Sequence, residues 1–384
     1  MNVNKKITDF IKDTFSSEGR FLPLHEPKFI GNERKYVNDA IDSTFVSSVG
    51  EYVNRFEKQM ADVAGTKYAV ATVNGTAALH IGLLMAGVKK DTEVLTQSFT
   101  FVATTNAISY IGAIPNFVDI ESKSLGINPK KLKTYLERII EMKNDVPYNR
   151  STGFRISACV PMHTFGLVSY IEEIIEICNQ YNIPVVEDAA ECIGSSLNGK
   201  PAGSFGLVGT YSFNGNKTIT CGGGGAIVTD NEELAKFAKH ITTTAKEPHK
   251  YKYRHDQVAY NYRMPNLNAA LVCAQLESLP SFIESKRKLS DNYKIFFESS
   301  LLEYATEIKD ARSNYWLNAV ILENLEARNA FLKESNENGV MTRPIWRLSN
   351  TLPMYQNCPK GDLSNSEWLE DRVVNITSSV IVNG

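Results

Sequence analysis

Several patterns that define special classes of protein are missing from this 384-residue sequence. No apolar run is long enough for a transmembrane helix, and residues 1–19 lack the apolar core of a signal peptide. With a net charge of −2, the protein has no overall field that would attract nucleic acid or an anionic membrane. We therefore expect a cytoplasmic protein that binds neither of them.

The cysteines are few and scattered, and none forms a Cys-x-x-Cys pair. We accordingly expect no metal site. Four of the six cysteines stand in apolar or helical runs, which predicts buried thiols in a reducing compartment. These four are Cys159, Cys178, Cys192 and Cys273.

What is present, 43% hydrophobic and 22% charged residues, suits a globular chain long enough for two domains. Between about residues 65 and 230, short β-rich apolar runs alternate with helical patterns. The strand candidates are residues 68–73, 93–97, 114–120, 156–163, 183–189, 209–213 and 225–230. Because several are apolar on both faces, they predict an α/β fold with a largely parallel sheet covered by helices.

The flanking regions depart from this alternation. Residues 1–20 carry apolar residues at helical spacing and predict an amphipathic helix. A large domain should then occupy residues 21–274, and a smaller C-terminal domain residues 275–384. Residues 142–155 are polar and predict a surface loop, and residues 243–262 form a second polar segment.

Three polar signals fall where strands end, which is where open α/β sheets bind ligands. The first is the Asn74-Gly75-Thr76 turn between a strand and a helix. The free N–H groups and positive end of that helix suit an anion, and Gly75 would let the anion approach the backbone. A plain helix N-cap explains the same residues.

The second signal is Asp188, which follows the apolar strand residues Ile183, Val185 and Val186. A carboxylate in that place is costly without a cationic partner, and a protonated ring nitrogen would serve. The alternative is an N-cap for a helix that begins in the residues after it.

The third signal is Lys217, which lies in a polar turn between two strands and is followed by Gly222 to Gly225. An amine must be unprotonated to attack a carbonyl, which burial favours, and the glycines would clear space around it. A phosphate loop is a second interpretation, although Asn216 breaks the G-x-x-x-x-G-K-[ST] spacing. A solvated lysine in a hairpin is the third.

Together the three signals supply a phosphate cradle, a carboxylate for a pyridinium nitrogen and an amine for an imine. These are the protein parts that pyridoxal 5′-phosphate requires. A dinucleotide oxidoreductase on the same sheet is disfavoured, because no G-x-G-x-x-G follows the first strand.

Over nearly its whole length the chain resembles the DegT/DnrJ/EryC1/StrS family of nucleotide-sugar aminotransferases. The motifs are "NGTAAL", "VVEDAAE", "FGLVGTYSFNGNKT", "GGGGAIVTD" and "YNYRMPNLNAAL". The phrases "LHEPKFIGNE", "STFVSSVG" and "VPMHTFG" are similar to its LegC-like branch. The resemblance implies fold type I, like aspartate aminotransferase, with a large, mostly parallel seven-stranded sheet domain and a smaller C-terminal α/β domain.

The resemblance also implies how the cofactor is held. Lys217 would form the imine and shuttle a proton, Asp188 would pair with the pyridinium nitrogen, and Phe101 would stack on the opposite ring face. Gly75, Thr76 and Ser212 would hold the phosphate. Glu191 stands near the ring hydroxyl where many relatives have glutamine or histidine, and its role is open. Asn261 would reach the phosphate of a neighbouring subunit, which implies a homodimer with shared sites.

The substrates implied are glutamate and a nucleotide-linked 4-keto-6-deoxy-hexose that is aminated at C4, with UDP-2-acetamido-2,6-dideoxy-hexos-4-ulose as the specific sugar. Amination at C3, a dTDP or GDP sugar, or a sugar dehydration are the alternatives. The related dehydratases have histidine in place of Lys217, and an intact lysine also disfavours a non-catalytic regulator. The sequence leaves two alternatives open. His163 lies either at the edge of the site or packed in the core, and the basic residues 246–255 contact either a diphosphate or water.

Overall fold

The structure is a computed structural model that describes residues 3–17, 19–300 and 302–382. The helices are α1 (Val3–Thr14), α2 (Glu33–Asp42), α3 (Glu51–Ala64), α4 (Gly75–Met85), α5 (Val102–Tyr110), α6 (Pro129–Ile139), α7 (Ile171–Asn179), α8 (Glu232–Thr242), α9 (Asn266–Ser300), α10 (Leu325–Glu337) and α11 (Ser364–Glu370). None of the helices in the described ranges is long and apolar enough to cross a bilayer.

The strands follow the predicted alternation in the first two thirds of the chain. They are β1 (Tyr68–Thr72), β2 (Glu93–Gln97), β3 (Ile114–Val118), β4 (Ile140–Lys143), β5 (Val146–Asn149), β6 (Ile156–Val160), β7 (Val186–Asp188), β8 (Ser196–Leu197), β9 (Lys200–Pro201), β10 (Val208–Ser212), β11 (Gly225–Thr229), β12 (Glu303–Tyr304), β13 (Ala311–Arg312), β14 (Asn318–Ile321), β15 (Arg343–Pro344) and β16 (Val373–Ile376). All seven strand candidates are confirmed. The bounds agree to within two or three residues at each end, and the largest change is the shortening of candidate 183–189 to the three residues of β7.

These seven strands form the central sheet, in the order β1-β11-β10-β7-β6-β2-β3. A four-stranded and a three-stranded part are joined by parallel bridges between Cys159 and Val185 and between Met162 and Asp188. Strand β11 is antiparallel to both neighbours, and every other adjacent pair is parallel. The prediction of a mostly parallel seven-stranded sheet is therefore confirmed.

Apolar cores cover both faces of this sheet, as parallel strands require. Val185 packs in one cluster with residues of α3, α6, α7 and α9, while Val186 packs in another with residues of α4, α5 and α8. Helix α4 lies very close to the sheet at Gly82, where an added Cβ would be 3.2 Å from Val186 and 3.3 Å from Thr210. This close packing fixes the start of α4 beside the ends of β7 and β10.

The C-terminal part is smaller and differently built. Strands β12, β14, β16 and β15 form an antiparallel sheet, which packs against α1, α9 and α10 through residues such as Ile7, Phe297 and Phe331. Helix α9 runs unbroken across residue 275, so the placement of a domain boundary there stays a prediction. The amphipathic helix expected near the N-terminus is α1, with Ile7 and Ile11 buried.

The polar segment 142–155 was expected to be a surface loop, and this expectation is wrong for residues 142–149. Residues 150–154 form turns and irregular chain, as expected. Strands β4 and β5 form a hairpin whose turn residues, Asn144 and Asp145, have φ of 49° and 61°. Two such residues at positive φ give the tight turn that matches strand twist. Asn149 at the end of the hairpin is buried and donates to Glu93 Oε2 at 2.9 Å. The hairpin thus exposes the polar residues at its turn and buries the polar residue at its end.

Candidate active site

A cavity of about 360 Å³ opens where β7 and β10 end and α4 begins. It brings together seven of the eight residues predicted from the sequence to form the site. These are Gly75, Thr76, Phe101, Asp188, Glu191, Ser212 and Lys217. The C-terminal ends of the parallel strands therefore carry the site, as this sheet topology predicts.

The start of α4 forms one wall. Asn74 is the N-cap, and its side-chain oxygen accepts a hydrogen bond from the Ala77 N–H at 2.7 Å. The N–H groups of Gly75 and Thr76 stand at the open end of the helix, where the dipole favours an anion. An added Cβ on Gly75 would lie 2.7 Å from Ser212 Cβ. The N-cap and the anion cradle are thus compatible interpretations of one turn.

Asp188 forms the floor at the end of β7 and is 3% exposed. Thr104 Oγ1 donates to its Oδ2 at 2.7 Å, and the Ala190 N–H donates to its Oδ1 at 3.2 Å. Burial raises the pKa of this carboxyl, while these two bonds and the nearby charge of Lys217 oppose the rise. Residues 189–195 form turns, so the interpretation of Asp188 as a helix N-cap is wrong.

Lys217 reaches into the cavity from the turn after β10, and its side chain is 13% exposed. Its Nζ lies 3.1 Å from Glu191 Oε1 and 3.9 Å from the centre of the Trp316 ring. A solvated lysine would have neither contact, so that interpretation is wrong. The phosphate-loop interpretation is also wrong, because no helix begins in residues 218–224.

Glu191 is held on both carboxylate oxygens. Its Oε2 accepts the Phe165 N–H at 2.8 Å, and its Oε1 faces Lys217. Phe165 and Gly166 have φ of 59° and 90°, a turn that aims the N–H at the carboxylate. Burial raises the pKa of Glu191 to about 7, with Lys217 opposing and Asp188 reinforcing the rise. A carboxyl beside the candidate amine is therefore poised to change charge near neutral pH.

The glycines after Lys217 were expected to clear space around it, but those that make close contacts make them elsewhere. A Cβ on Gly224 would lie 2.5 Å from Cys221 Sγ, and one on Gly225 would collide with the backbone of Asn74. The second contact is with the N-cap of α4. Gly225 therefore allows β11 to approach the cradle, and Gly224 allows close packing against Cys221 and Met264.

Two tryptophans complete the cavity, and sequence reasoning missed both. Trp316 covers the Lys217 amine, and its indole Nε1 donates to Asn216 O at 2.7 Å. Trp346 meets Phe101 edge-to-face at 5.9 Å between ring centres. Phe101 is 49% exposed and lines the cavity. Both tryptophans come from the C-terminal part of the chain. The chain has only three tryptophans, and this rarity is the sequence feature that could have marked them as candidate site residues.

Asn261 is the predicted residue that the fold leaves outside this cavity. It is exposed, its Oδ1 accepts from Arg263 Nε at 2.9 Å, and it precedes α9 by five residues. Asn261 therefore does not cap that helix. Its role at a partner's site stays a prediction.

His163 and the basic segment do not contribute to the cavity wall. His163 is fully buried, with Nε2 at 3.0 Å from Glu187 Oε2, so the packed interpretation holds. The segment 246–255 is largely exposed, and none of its residues is among those that line this cavity. Within a single subunit it is a surface segment.

The arrangement fits pyridoxal phosphate group by group. The glycine cradle at the start of α4 suits its phosphate, the buried Asp188 carboxylate suits its protonated ring nitrogen, and the enclosed amine of Lys217 suits its aldehyde. The fold and the site thus define a pyridoxal-phosphate-dependent enzyme of fold type I.

Comparisons with known proteins identify the family. A family model described as the DegT/DnrJ/EryC1/StrS aminotransferase family matches residues 27–383, and the chain belongs to that family. It is a sugar aminotransferase, and its cofactor is pyridoxal 5′-phosphate.

Individual relatives and structures agree with this assignment. The chain is similar to the GDP-perosamine synthase of Vibrio cholerae, with 36% identity over 88% of each chain. It is also similar to the putative pyridoxal phosphate-dependent aminotransferase EpsN of Bacillus subtilis, with 35% identity over 86% of this chain and 83% of the relative. A crystal structure of a DegT/DnrJ/EryC1/StrS aminotransferase from Brucella abortus has the same fold, with a TM-score of 0.82, 24% identity and 90% coverage of each chain.

Proposed function

We propose that this enzyme transfers an amino group from glutamate to C4 of a nucleotide-linked 4-keto-6-deoxy-hexose, with UDP-2-acetamido-2,6-dideoxy-hexos-4-ulose as its sugar. The reaction would serve amino-sugar synthesis for a surface glycan, lipopolysaccharide or capsule, in the cytoplasm. The supporting observation is the meeting of Lys217, Asp188 and the start of α4 at one cavity. The specific sugar rests on the LegC-like phrases of the sequence.

When bound, pyridoxal phosphate supplies an electron sink for the carbon that loses a proton. The protein's part is to bind, orient and move protons. Asp188 holds the positive charge on the ring nitrogen, and the N–H groups of Gly75 and Thr76 hold the phosphate. Lys217 Nζ would accept the proton that the substrate carbon loses and return it during amino transfer. Ser212, whose side chain lies against Gly75, closes the cradle.

The aromatic side chains give the cavity a wall for a sugar. Trp316 would shield the amine from water, and Trp346 and the half-exposed Phe101 would form the rest of this wall. The apolar face of a hexose can pack on such rings, because an aromatic side chain offers a large apolar contact area and loses little conformational entropy on binding. Excluding water from Lys217 also strengthens its electrostatic interactions at the reacting atoms.

A second candidate sugar is a GDP-linked 4-keto-6-deoxy-hexose, which the name of the Vibrio cholerae relative favours. The two are separated by loading the enzyme with pyridoxamine 5′-phosphate and adding matched UDP-, GDP- and dTDP-linked keto-sugars. The sugar that restores the imine absorbance in a single turnover is the substrate. If none of the 4-keto-sugars restores that absorbance, the proposal is contradicted.

The enzyme would act as a homodimer with shared sites. Apolar side chains that are 42–69% exposed lie on residues 29–49, and surfaces of this kind mark protein interfaces. They are Phe29, Ile30, Ile41, Phe45, Val46 and Val49. Asn261, exposed and outside its own subunit's cavity, would then complete the partner's phosphate site.

Subunit mixing tests this assembly. Lys217→Ala and Asn261→Asp should each be nearly inactive, the second because its charge repels the phosphate. In a mixed dimer, one site carries both defects and the other carries neither, so activity should rise towards half that of the unmutated dimer. Mixed dimers as inactive as their parents, or an active monomer, would contradict the shared site.

A further inference from the structure

We propose that Thr104 is a positioning residue which, with Thr100 behind it, holds Asp188 ionised and aimed at the cofactor's ring nitrogen. This inference rests on the role proposed above for Asp188. It adds two hydroxyl groups, behind Asp188, to the residues that would hold the cofactor.

The hydrogen bonds have a fixed direction. Thr104 Oγ1 lies 2.7 Å from Asp188 Oδ2, and an ionised carboxylate can only accept, so Thr104 spends its proton there. Thr100 Oγ1 lies 2.8 Å from Thr104 Oγ1, and with the Thr104 proton donated to Asp188 it is Thr100 that can donate in this pair. Met162 Sδ, 2.9 Å from the same Thr100 oxygen, is a weaker acceptor that competes for this proton. Both threonines are 1% exposed and Asp188 is 3% exposed. Two aligned hydroxyls in a buried place polarise each other and strengthen the final bond.

The charged state of Asp188 depends on these donors. Burial disfavours the carboxylate, and hydrogen bonds donated to it favour it. Thr104 serves one oxygen, and the Ala190 N–H serves the other at 3.2 Å. With its orientation fixed, the carboxylate can meet a ring N–H without reorganising, which is the condition for effective electrostatic stabilisation.

Thr104 also links Asp188 to Phe101. Phe101 is the N-cap of α5, and its carbonyl accepts the Thr104 N–H at 3.1 Å. One helical turn therefore carries the aromatic ring proposed to stack on the cofactor and the hydroxyl that holds the partner of its ring nitrogen. A shift of this turn would move both contacts together.

Thr104→Val tests the inference, because valine has the shape of threonine without the hydroxyl. Because the carboxylate would lose the donor that keeps it charged and oriented for the ring nitrogen, the affinity of the cofactor-free protein for pyridoxal 5′-phosphate should fall about 10- to 100-fold. The rate constant kcat should fall by a similar factor, while Thr104→Ser should restore both. Thr100→Val should produce a smaller loss in the same direction.

Thr105→Val is the matched control. Thr105 is the next residue of the same helix, is fully buried, and its hydroxyl donates to the Val102 carbonyl at 3.0 Å. This variant reports what a buried threonine on α5 contributes to folding alone. If the cofactor affinity of Thr104→Val lies within twofold of that of Thr105→Val, the inference is wrong.

The Asp188→Asn background separates this inference from the proposed function. If Thr104 acts through the carboxylate, Thr104→Val should cause less than a twofold further loss of cofactor affinity once Asp188 is asparagine. An unchanged 10- to 100-fold loss in that background would overturn the inference. If Asp188→Asn itself leaves affinity and rate near normal, the role of Asp188 fails instead, and the inference fails with it.

Discussion

Glu191→Gln should remove a proton titration centred near pH 7 from the cofactor-free protein. In the structure this carboxyl is 3% exposed, accepts the Phe165 N–H and lies 3.1 Å from the Lys217 amine. Burial is the main cause that raises its pKa from 4.5 to about 7. Glutamine has nearly the same shape and cannot titrate, so the variant isolates this one proton.

The size of the effect follows from linkage. A rise from 4.5 to about 7 corresponds to about 3 kcal/mol, at roughly 1.4 kcal/mol per pKa unit. Because the folded pKa is the higher one, the folded protein binds more protons than the unfolded chain in this interval. The free energy of unfolding should therefore fall as pH rises from about 4.5 to about 7, and Glu191→Gln should lack this part of the fall. In the variant, either the Phe165 N–H or the Lys217 amine also loses its acceptor. This loss lowers the free energy of unfolding by an amount that does not depend on the titration of a carboxyl.

Infrared difference spectra between the cofactor-free protein and the variant measure the carboxyl directly. The C=O stretch of the protonated acid should be present at pH 5.5 and disappear with a midpoint near 7. The charge of Lys217 lowers the pKa of Glu191, so in Lys217→Ala the midpoint should move upwards. A midpoint near 4.5, or one that Lys217→Ala leaves unchanged, would refute the reasoning from burial and charge.

The remaining predictions concern the cofactor's three contacts. Lys217→Ala should still bind pyridoxal phosphate but show no imine absorbance and no transamination; activity near normal in the purified variant would contradict its role. Asp188→Asn should fold and lose several powers of ten in rate, since each pKa unit of the ring nitrogen is worth about 1.4 kcal/mol; a nearly normal rate would refute the electron-sink assignment. Gly75→Ala places a Cβ 2.7 Å from Ser212 Cβ, and overpacking of about 1–3 kcal/mol should weaken cofactor affinity about 5- to 100-fold. Gly215→Ala, where an added Cβ has nothing within 4 Å, is the matched control, and equal affinities in the two variants would contradict the cradle.

The central sheet could be predicted because its strands are buried on both faces. Runs such as residues 183–189 and 225–230 are mostly apolar, so the local composition is enough to predict that they are buried. Their polar ends then mark the site, which is why Asp188 and Lys217 could be chosen before any fold was known. Residues 142–149 were wrongly predicted to be a loop, because an exposed hairpin has the polar composition of a loop.

The parts of the site that could not be predicted depend on contacts between distant segments. Trp316 meets Lys217 only because the C-terminal part folds back over the ends of the strands, across a separation of about a hundred residues. Thr104 is one of several threonines near the start of α5, and nothing local distinguishes it from Thr105. The contact with Asp188, 84 residues away, makes the difference.

The pattern of buried charge explains why this site should favour the cofactor it is proposed to bind. Two carboxyls, Asp188 and Glu191, share the cavity with one amine, and burial raises the pKa of both acids. A protonated ring nitrogen against Asp188 would supply a positive charge beside the two acids. The phosphate carries its own negative charge away from the acids, to the start of α4, where the helix dipole favours it. Each charged group of the cofactor would thus lie beside protein groups of opposite charge: the ring nitrogen beside the buried acids, and the phosphate beside the positive end of α4.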